Sequence, residues 1–165
     1  MAGCMSGSEA AQSRQRRLRD AIQAVRDAVA SDLLDHSVPD AVAGALDALY
    51  DFAEIVNRQG RYTSRSLENY VAGDVGGETT LALVCARGAK AHALVDFGDL
   101  YTYGSHGYGE GPYGGGWAWQ GFENEDLRFA RRSDWYDNHV RGHRVLGPLE
   151  VGYAWLTCTL GLSAD

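Results

Sequence analysis

Residues 78–96, ETTLALVCARGAKAHALVD, are the most apolar and alanine-rich run of the chain, and we expect them to decide its fold. Five alanines favour a helix over a strand. Asp74 and Glu78 supply helix-start groups, and Gly98 stands where a helix stop is expected. The run therefore predicts a buried central helix. Its apolar and small residues recur at steps of three and four: Leu81, Val84, Cys85, Gly88, Ala91, His92 and Val95.

The same run is also compatible with a β-hairpin over residues 80–97. Leu81, Leu83 and Cys85 alternate with small residues, residues 87–90 could form a turn, and alternation resumes after His92. Short apolar runs are ambiguous by periodicity alone, so both structures stay open here.

Length and charge indicate one domain spanning residues 1–165, with 1–8 and 162–165 expected to be flexible. Fifteen basic and 22 acidic residues give a net charge of −7, which excludes a surface that binds nucleic acid as a whole. Cys4, Cys85 and Cys158 are scattered, which is typical of a reducing compartment. Without an apolar signal core or a membrane-length apolar run, the sequence predicts a cytoplasmic protein with no membrane contact.

Two long helical patterns precede the central run, and a third follows near the end of the chain. Apolar residues step by three and four between Leu18 and Leu33, and again between Val42 and Val56. Residues 36–40, HSVPD, separate the first two patterns, and Gly60 ends the second, which predicts a long antiparallel αα-hairpin. Residues 61–77 read as a polar connection, and a C-terminal helix is expected from Pro148. The fold class is thus mainly α, a bundle of about four helices.

Residues 99–122 form a glycine- and tyrosine-rich insertion. Tyr101 to Trp119 contains seven glycines and six aromatic residues, a glycine density that excludes a helix. We expect a long surface loop ending in a short strand at residues 117–122. Its aromatic residues could also bind a protein partner or unstacked bases.

A basic region follows at residues 127–144, where Trp135, Tyr136 and Val140 favour a short helix. Histidines 139 and 143 are four apart, but no HExxH motif or cysteine pair accompanies them, so no metal site and no cofactor are predicted. A basic, partly exposed face is the expected result. Its candidate substrate-binding residues are Arg131, Arg132 and Arg141. Lys90, the only lysine of the chain, is a further candidate and lies in the central run.

Arg87 and His92 are the candidate catalytic residues of the central run. Arginine is a permanently charged, forked donor suited to phosphate oxygens. Histidine gives or takes a proton near neutral pH. Brought together, the two side chains could cleave RNA without a metal ion, because arginine stabilises the charge that develops on the phosphate.

The segment Arg87-Gly88-Ala89-Lys90-Ala91-His92 resembles the R-x4-6-H motif of the HEPN family. The resemblance implies a bundle of about four helices, a homodimer whose two motifs line one cleft, and metal-independent endoribonuclease activity in defence or toxin–antitoxin systems. Gly88 departs from the family, which often has a polar residue at that position, and this bears on catalysis more than on fold.

Two other functions stay open. The first is a non-enzymatic interaction protein, such as an immunity protein, an antitoxin or an assembly subunit, that binds its partner through Tyr101 to Trp119. The second is a mixed α/β binding domain, which would follow if residues 80–97 form a hairpin.

Overall fold

The structure, a computed structural model, describes residues 5–31, 37–88, 94–98, 116–121 and 129–163. These ranges contain six helices and two strands. In chain order they are α1 (Met5–Ser31), α2 (Ser37–Gly60), α3 (Ser64–Val71), α4 (Val75–Ala86), β1 (Val95–Gly98), β2 (Gly116–Trp119), α5 (Ala130–His139) and α6 (Leu146–Thr159). The prediction of a mainly helical fold is confirmed.

Helices α1 and α2 pack against each other along most of their length. Leu18 and Val25 of α1 are fully buried, as are Leu49 and Phe52 of α2. Arg17, near the middle of α1, pairs with Asp51 of α2 at 2.6 Å. Only residues 32–36 separate the two packed helices, so they run antiparallel as the sequence predicts. Helix α1 already begins at Met5, within the segment expected to be flexible.

Helix α3 lies inside residues 61–77, which the sequence pattern predicts to be a polar connection. Thr63 and Ser66 form a capping box at its start, and Leu67 and Val71, four residues apart, bury one face. The helix was missed because only two of its eight residues make the apolar pattern.

Helix α4 is the centre of the molecule, because it packs against α2, α3, α5 and α6. Asp74 caps it by accepting from the backbone of Gly76 at 3.0 Å and Gly77 at 3.5 Å. The predicted helix over 78–96 is wrong in its second half, because α4 ends at Ala86 and the chain re-forms as β1. The alternative hairpin over 80–97 is also wrong, because residues 81–86 are helical.

Strands β1 and β2 form an antiparallel pair in which Val95 lies opposite Trp119 and Gly98 opposite Gly116. The Trp119 side chain is buried, and its indole nitrogen donates to the carbonyl of Val145 at 3.1 Å. The strand predicted at residues 117–122 is therefore present as β2. The part of the insertion between the strands, including Tyr101 to Gly115, lies outside the described residues.

Helices α5 and α6 close the fold against α4. Leu149 and Leu156 of α6 are fully buried, and Leu162 beyond its end still packs on the core. His139 and His143 do not share a helix, because α5 ends at His139 and His143 lies in the turn that follows. None of the helices in the described ranges has the length and apolar character needed to span a bilayer.

Candidate functional site

Arg87, the predicted catalytic arginine, lies at the C-terminal end of α4. Its backbone N–H closes the last turn by donating to the carbonyl of Leu83, and Gly88 donates to the carbonyl of Cys85. Arginine in this position also interacts favourably with the negative end of the helix dipole. The end of α4 therefore places the Arg87 side chain at the surface, with 42% of it exposed.

Two side chains of α2 hold the Arg87 guanidinium in place. Its Nε donates to Asp47 Oδ1 at 2.6 Å. The guanidinium carbon lies 4.2 Å from the centre of the Tyr50 ring, in cation–π geometry. The hydrogen bond that Arg87 donates to Asp47 raises the pKa of Arg87 above its ordinary value, and the carboxylate of Asp51 adds to this effect. The charge of Arg87 is therefore permanent.

In the part of the chain that the structure describes, the outer end of the guanidinium has no polar partner. The bond to Asp47 uses the Nε–H, and the two terminal nitrogens of Arg87 have no hydrogen bond or ion pair with any described residue. A guanidinium fork of this kind matches the spacing of two phosphate oxygens. The site can thus bind an oxyanion while Asp47 and Tyr50 fix its orientation.

Sequence reasoning missed both Asp47 and Tyr50. They are three residues apart, so they share one face of α2, and that pattern is visible in the sequence. The pattern gave no reason to pair them with Arg87, which is 40 residues away along the chain. His92 and Lys90, the other predicted members of the site, lie outside the described residues.

The predicted substrate-binding arginines of α5 do not gather at Arg87. Arg132 is buried, and its Nε donates to Glu68 Oε1 of α3 at 2.7 Å. Arg131 is exposed, donates to the side-chain oxygen of Asn69 at 3.1 Å and lies over the Trp135 ring at 5.0 Å.

Arg141 and His139 complete the polar contacts of this region. Arg141 lies beyond α5 and has a long ion pair of 3.5 Å with Asp137. The ring nitrogen Nε2 of His139 lies 2.8 Å from Glu78 Oε2, and the other oxygen of Glu78 accepts from the backbone of Gly73.

Several basic side chains of residues 127–144 bind neighbouring helices of the same chain. Arg131, Arg132 and His139 are partnered by Asn69, Glu68 and Glu78, which lie on α3 and α4. The basic residues of α5 thus attach it to its neighbours. Arg132, predicted to bind substrate on a basic, partly exposed face, is buried against Glu68. Within the described part of the chain, no group of three or more His, Cys, Asp or Glu side chains is arranged to hold a metal ion.

Comparison of the chain with protein-family models, curated proteins and solved structures finds no match.

Proposed function

We propose that the protein is a cytoplasmic, metal-independent endoribonuclease of the HEPN type, with Arg87 and His92 as catalytic residues. The observation that carries the proposal is the state of Arg87. It is held by Asp47 and Tyr50, half-exposed, and free at both terminal nitrogens toward every described residue. An arginine fixed in this way meets a phosphate without first losing side-chain freedom.

The proposed reaction is transesterification at phosphorus. The ribose 2′-oxygen attacks the phosphorus, His92 takes the 2′-hydroxyl proton, and the bond from phosphorus to O5′ breaks. The leaving O5′ takes a proton from water, and the products are a 2′,3′-cyclic phosphate and a 5′-hydroxyl end. Arg87 stabilises the charge that develops on the two non-bridging oxygens. Asp47 is a positioning residue, because it touches Arg87 and not the substrate.

An RNA-cleavage assay in the presence of EDTA tests this function. We expect cleavage by the wild type and its loss in Arg87→Ala and His92→Ala. Arg16→Ala is the matched control, because Arg16 is an exposed arginine of α1 that has no hydrogen bond or ion pair with any described residue. Absence of cleavage by the folded wild type, or equal loss in the Arg16 variant, would overturn the proposal.

The defence or toxin–antitoxin setting has its own test. Expression of the wild type in bacterial cells should slow growth, and Arg87→Ala should relieve the effect at equal protein level. Growth inhibition that persists in the variant would show that it does not depend on this site.

A second candidate function, an assembly subunit, is favoured by the outer face of α6. Gly147, Val151, Ala154 and Cys158 follow one another at helical spacing, and all four are exposed. Val151, the largest side chain of the four, is 41% exposed.

We propose a second copy of the chain as the occupant of this face. The reason is electrostatic. Each copy has a net charge of −7 and repels another, but this face is uncharged, and Glu150 beside it is paired with Arg26.

Light scattering combined with size-exclusion chromatography tests the homodimer. We expect a dimer for the wild type and a monomer for Val151→Lys, while Ala24→Lys, on an exposed position of α1, stays dimeric. A monomeric wild type would contradict self-association. The predicted protein partner of Tyr101 to Trp119 remains a separate prediction, since most of that segment lies outside the described residues.

A further inference from the structure

The turn between α2 and α3 combines unpaired arginines with stacked tyrosines, and it lies apart from Arg87. Residues 57–69, NRQGRYTSRSLEN, contain three arginines and a single acidic residue, Glu68. Glu68 is turned inward to Arg132, so its charge is neutralised inside the protein. This segment is therefore locally basic in a chain whose overall charge is −7.

Arg61 and Arg65 differ from the arginines that stabilise the fold. Both side chains are exposed, and neither has an ion pair or a hydrogen bond with any residue that the structure describes. By contrast, Arg17, Arg26 and Arg132 each have a carboxylate within 3 Å. Only a weak contact of 3.9 Å, from Arg58 to Glu54, offsets any arginine charge in this segment.

Two tyrosines of the same region, Tyr62, which follows Arg61, and Tyr70, near the end of α3, form a stacked pair. The rings of Tyr62 and Tyr70 are 5.1 Å apart and inclined by 25°. Tyr70 is 54% exposed, while Tyr62 is partly covered and its ring lies against Gly60, where an added Cβ would meet ring carbons at 2.0 Å. Gly60 thus makes room for Tyr62, and Tyr62 supports the exposed ring of Tyr70.

The backbone of the turn is held in an unfavourable conformation. Arg61 has φ 51°, in the left-handed region that glycine usually occupies. Its N–H donates to the carbonyl of Arg58, and Tyr62 donates to the carbonyl of Asn57, so Arg61 closes the helix in a Schellman-type motif. An arginine stands at the position where glycine would be more stable.

We infer that this turn, with Arg61, Arg65 and Tyr70, is a binding site for single-stranded nucleic acid. Exposed aromatic rings stack on bases, and unpaired arginines contact the phosphates between them. A duplex hides the faces of its bases, so the stacked tyrosines favour single strands. An acidic protein segment would use the arginines but gain less from the exposed ring. The choice of RNA over DNA rests on the proposed ribonuclease function, whereas binding itself does not.

Fluorescence anisotropy with a labelled 12-nucleotide oligouridylate tests the site. We expect Tyr70→Ala to weaken binding by about 5- to 150-fold, the range found for one stacked base. Arg61→Ala/Arg65→Ala should lower the slope of log K against log salt concentration by about 1.4, at roughly 0.7 per phosphate contact. Arg16→Ala is the control, because Arg16 is an exposed arginine of α1 whose side chain has no ion pair or hydrogen bond with a described residue.

The outcomes distinguish this site from the catalytic proposal. Arg87→Ala should keep the binding affinity while losing cleavage, and the variants of the turn should lose affinity for uncleavable 2′-O-methyl RNA as well. Unchanged affinity in Tyr70→Ala, or equal affinity for oligouridylate and a polyaspartate peptide, would overturn the inference, and the second result would identify an acidic protein surface as the ligand. Neither result depends on whether the chain cleaves RNA.

Discussion

Replacing Arg132 with methionine removes one half of an ion pair that lies inside the protein. The side chains of Arg132 and Glu68 are 8% and 12% exposed, and 2.7 Å separates their bonded atoms. Methionine fills a similar volume but leaves the Glu68 carboxylate buried without its partner. Breaking a buried pair in this way destabilises proteins by about 3–5 kcal/mol.

Thermal and urea unfolding, followed by circular dichroism, measure the effect. For a chain of this length, about 2–4 °C of melting temperature correspond to 1 kcal/mol, so the expected decrease is about 6–20 °C. Arg131→Met is the matched control, since Arg131 is exposed and has a single hydrogen bond, to the uncharged side chain of Asn69. We expect that control to lose only about 1 kcal/mol.

The double variant Glu68→Leu/Arg132→Met sharpens the test, because it removes both charges and leaves none unpaired. It should recover most of the stability lost in Arg132→Met. It should also keep RNA binding, since an interior guanidinium cannot contact substrate. If Arg132→Met is no less stable than Arg131→Met, or if the folded double variant loses RNA binding, the assignment of Arg132 to the interior is wrong.

Three further predictions concern the backbone and the core. Gly77→Ala should destabilise the protein by about 1–3 kcal/mol in urea unfolding, because its Cβ would lie 2.7 Å from the Cβ of Val71. Gly44→Ala, in open space on α2, should instead stabilise the protein by about 0.5–1 kcal/mol. Similar values for the two variants would contradict the packing at Gly77. Burial raises the pKa of Tyr136 above its usual value of about 10. The unfolded chain therefore releases this proton first, and the free energy of unfolding should fall as the pH rises above about 10. Absorbance at 295 nm should show a tyrosine that ionises only on unfolding, and Tyr136→Phe should abolish that component. Arg61→Gly should raise the melting temperature, because glycine adopts the left-handed backbone conformation of residue 61 without strain. The same variant should weaken binding of oligouridylate. A melting temperature below that of the wild type would refute the strain at Arg61.

Much of the helical framework could be read from local pattern. The stripes of α1, α2 and α6 repeat over several turns, and Gly60 and Asp74 mark helix boundaries where the structure has them. Periodic burial over many residues determines such helices, since each turn repeats the same choice of inward face. Helix α3 was missed for the opposite reason, because two apolar residues at one spacing are too few to define a period.

Only tertiary contacts decided which secondary structure residues 78–96 adopt. The run is periodic enough for one helix, yet its second part becomes β1, whose hydrogen-bonding partner β2 is about 20 residues further along the chain. Trp119 of β2 then fills the core beside Tyr136 of α5, at 6.5 Å between ring centres. Pairing across such a distance gives no local signal, so the sequence could not choose between helix and strand there.

The candidate site divides in the same way. The sequence by itself determined that Arg87 lies within the central apolar run and that its charge suits a phosphate. The three-dimensional fold alone decided which cations stay free, because Asp47, Glu68 and Glu78 reach their basic partners from 40 to 64 residues away. An ion pair depends on the position of the acceptor in space, and that position exists only after α2, α3 and α4 have packed.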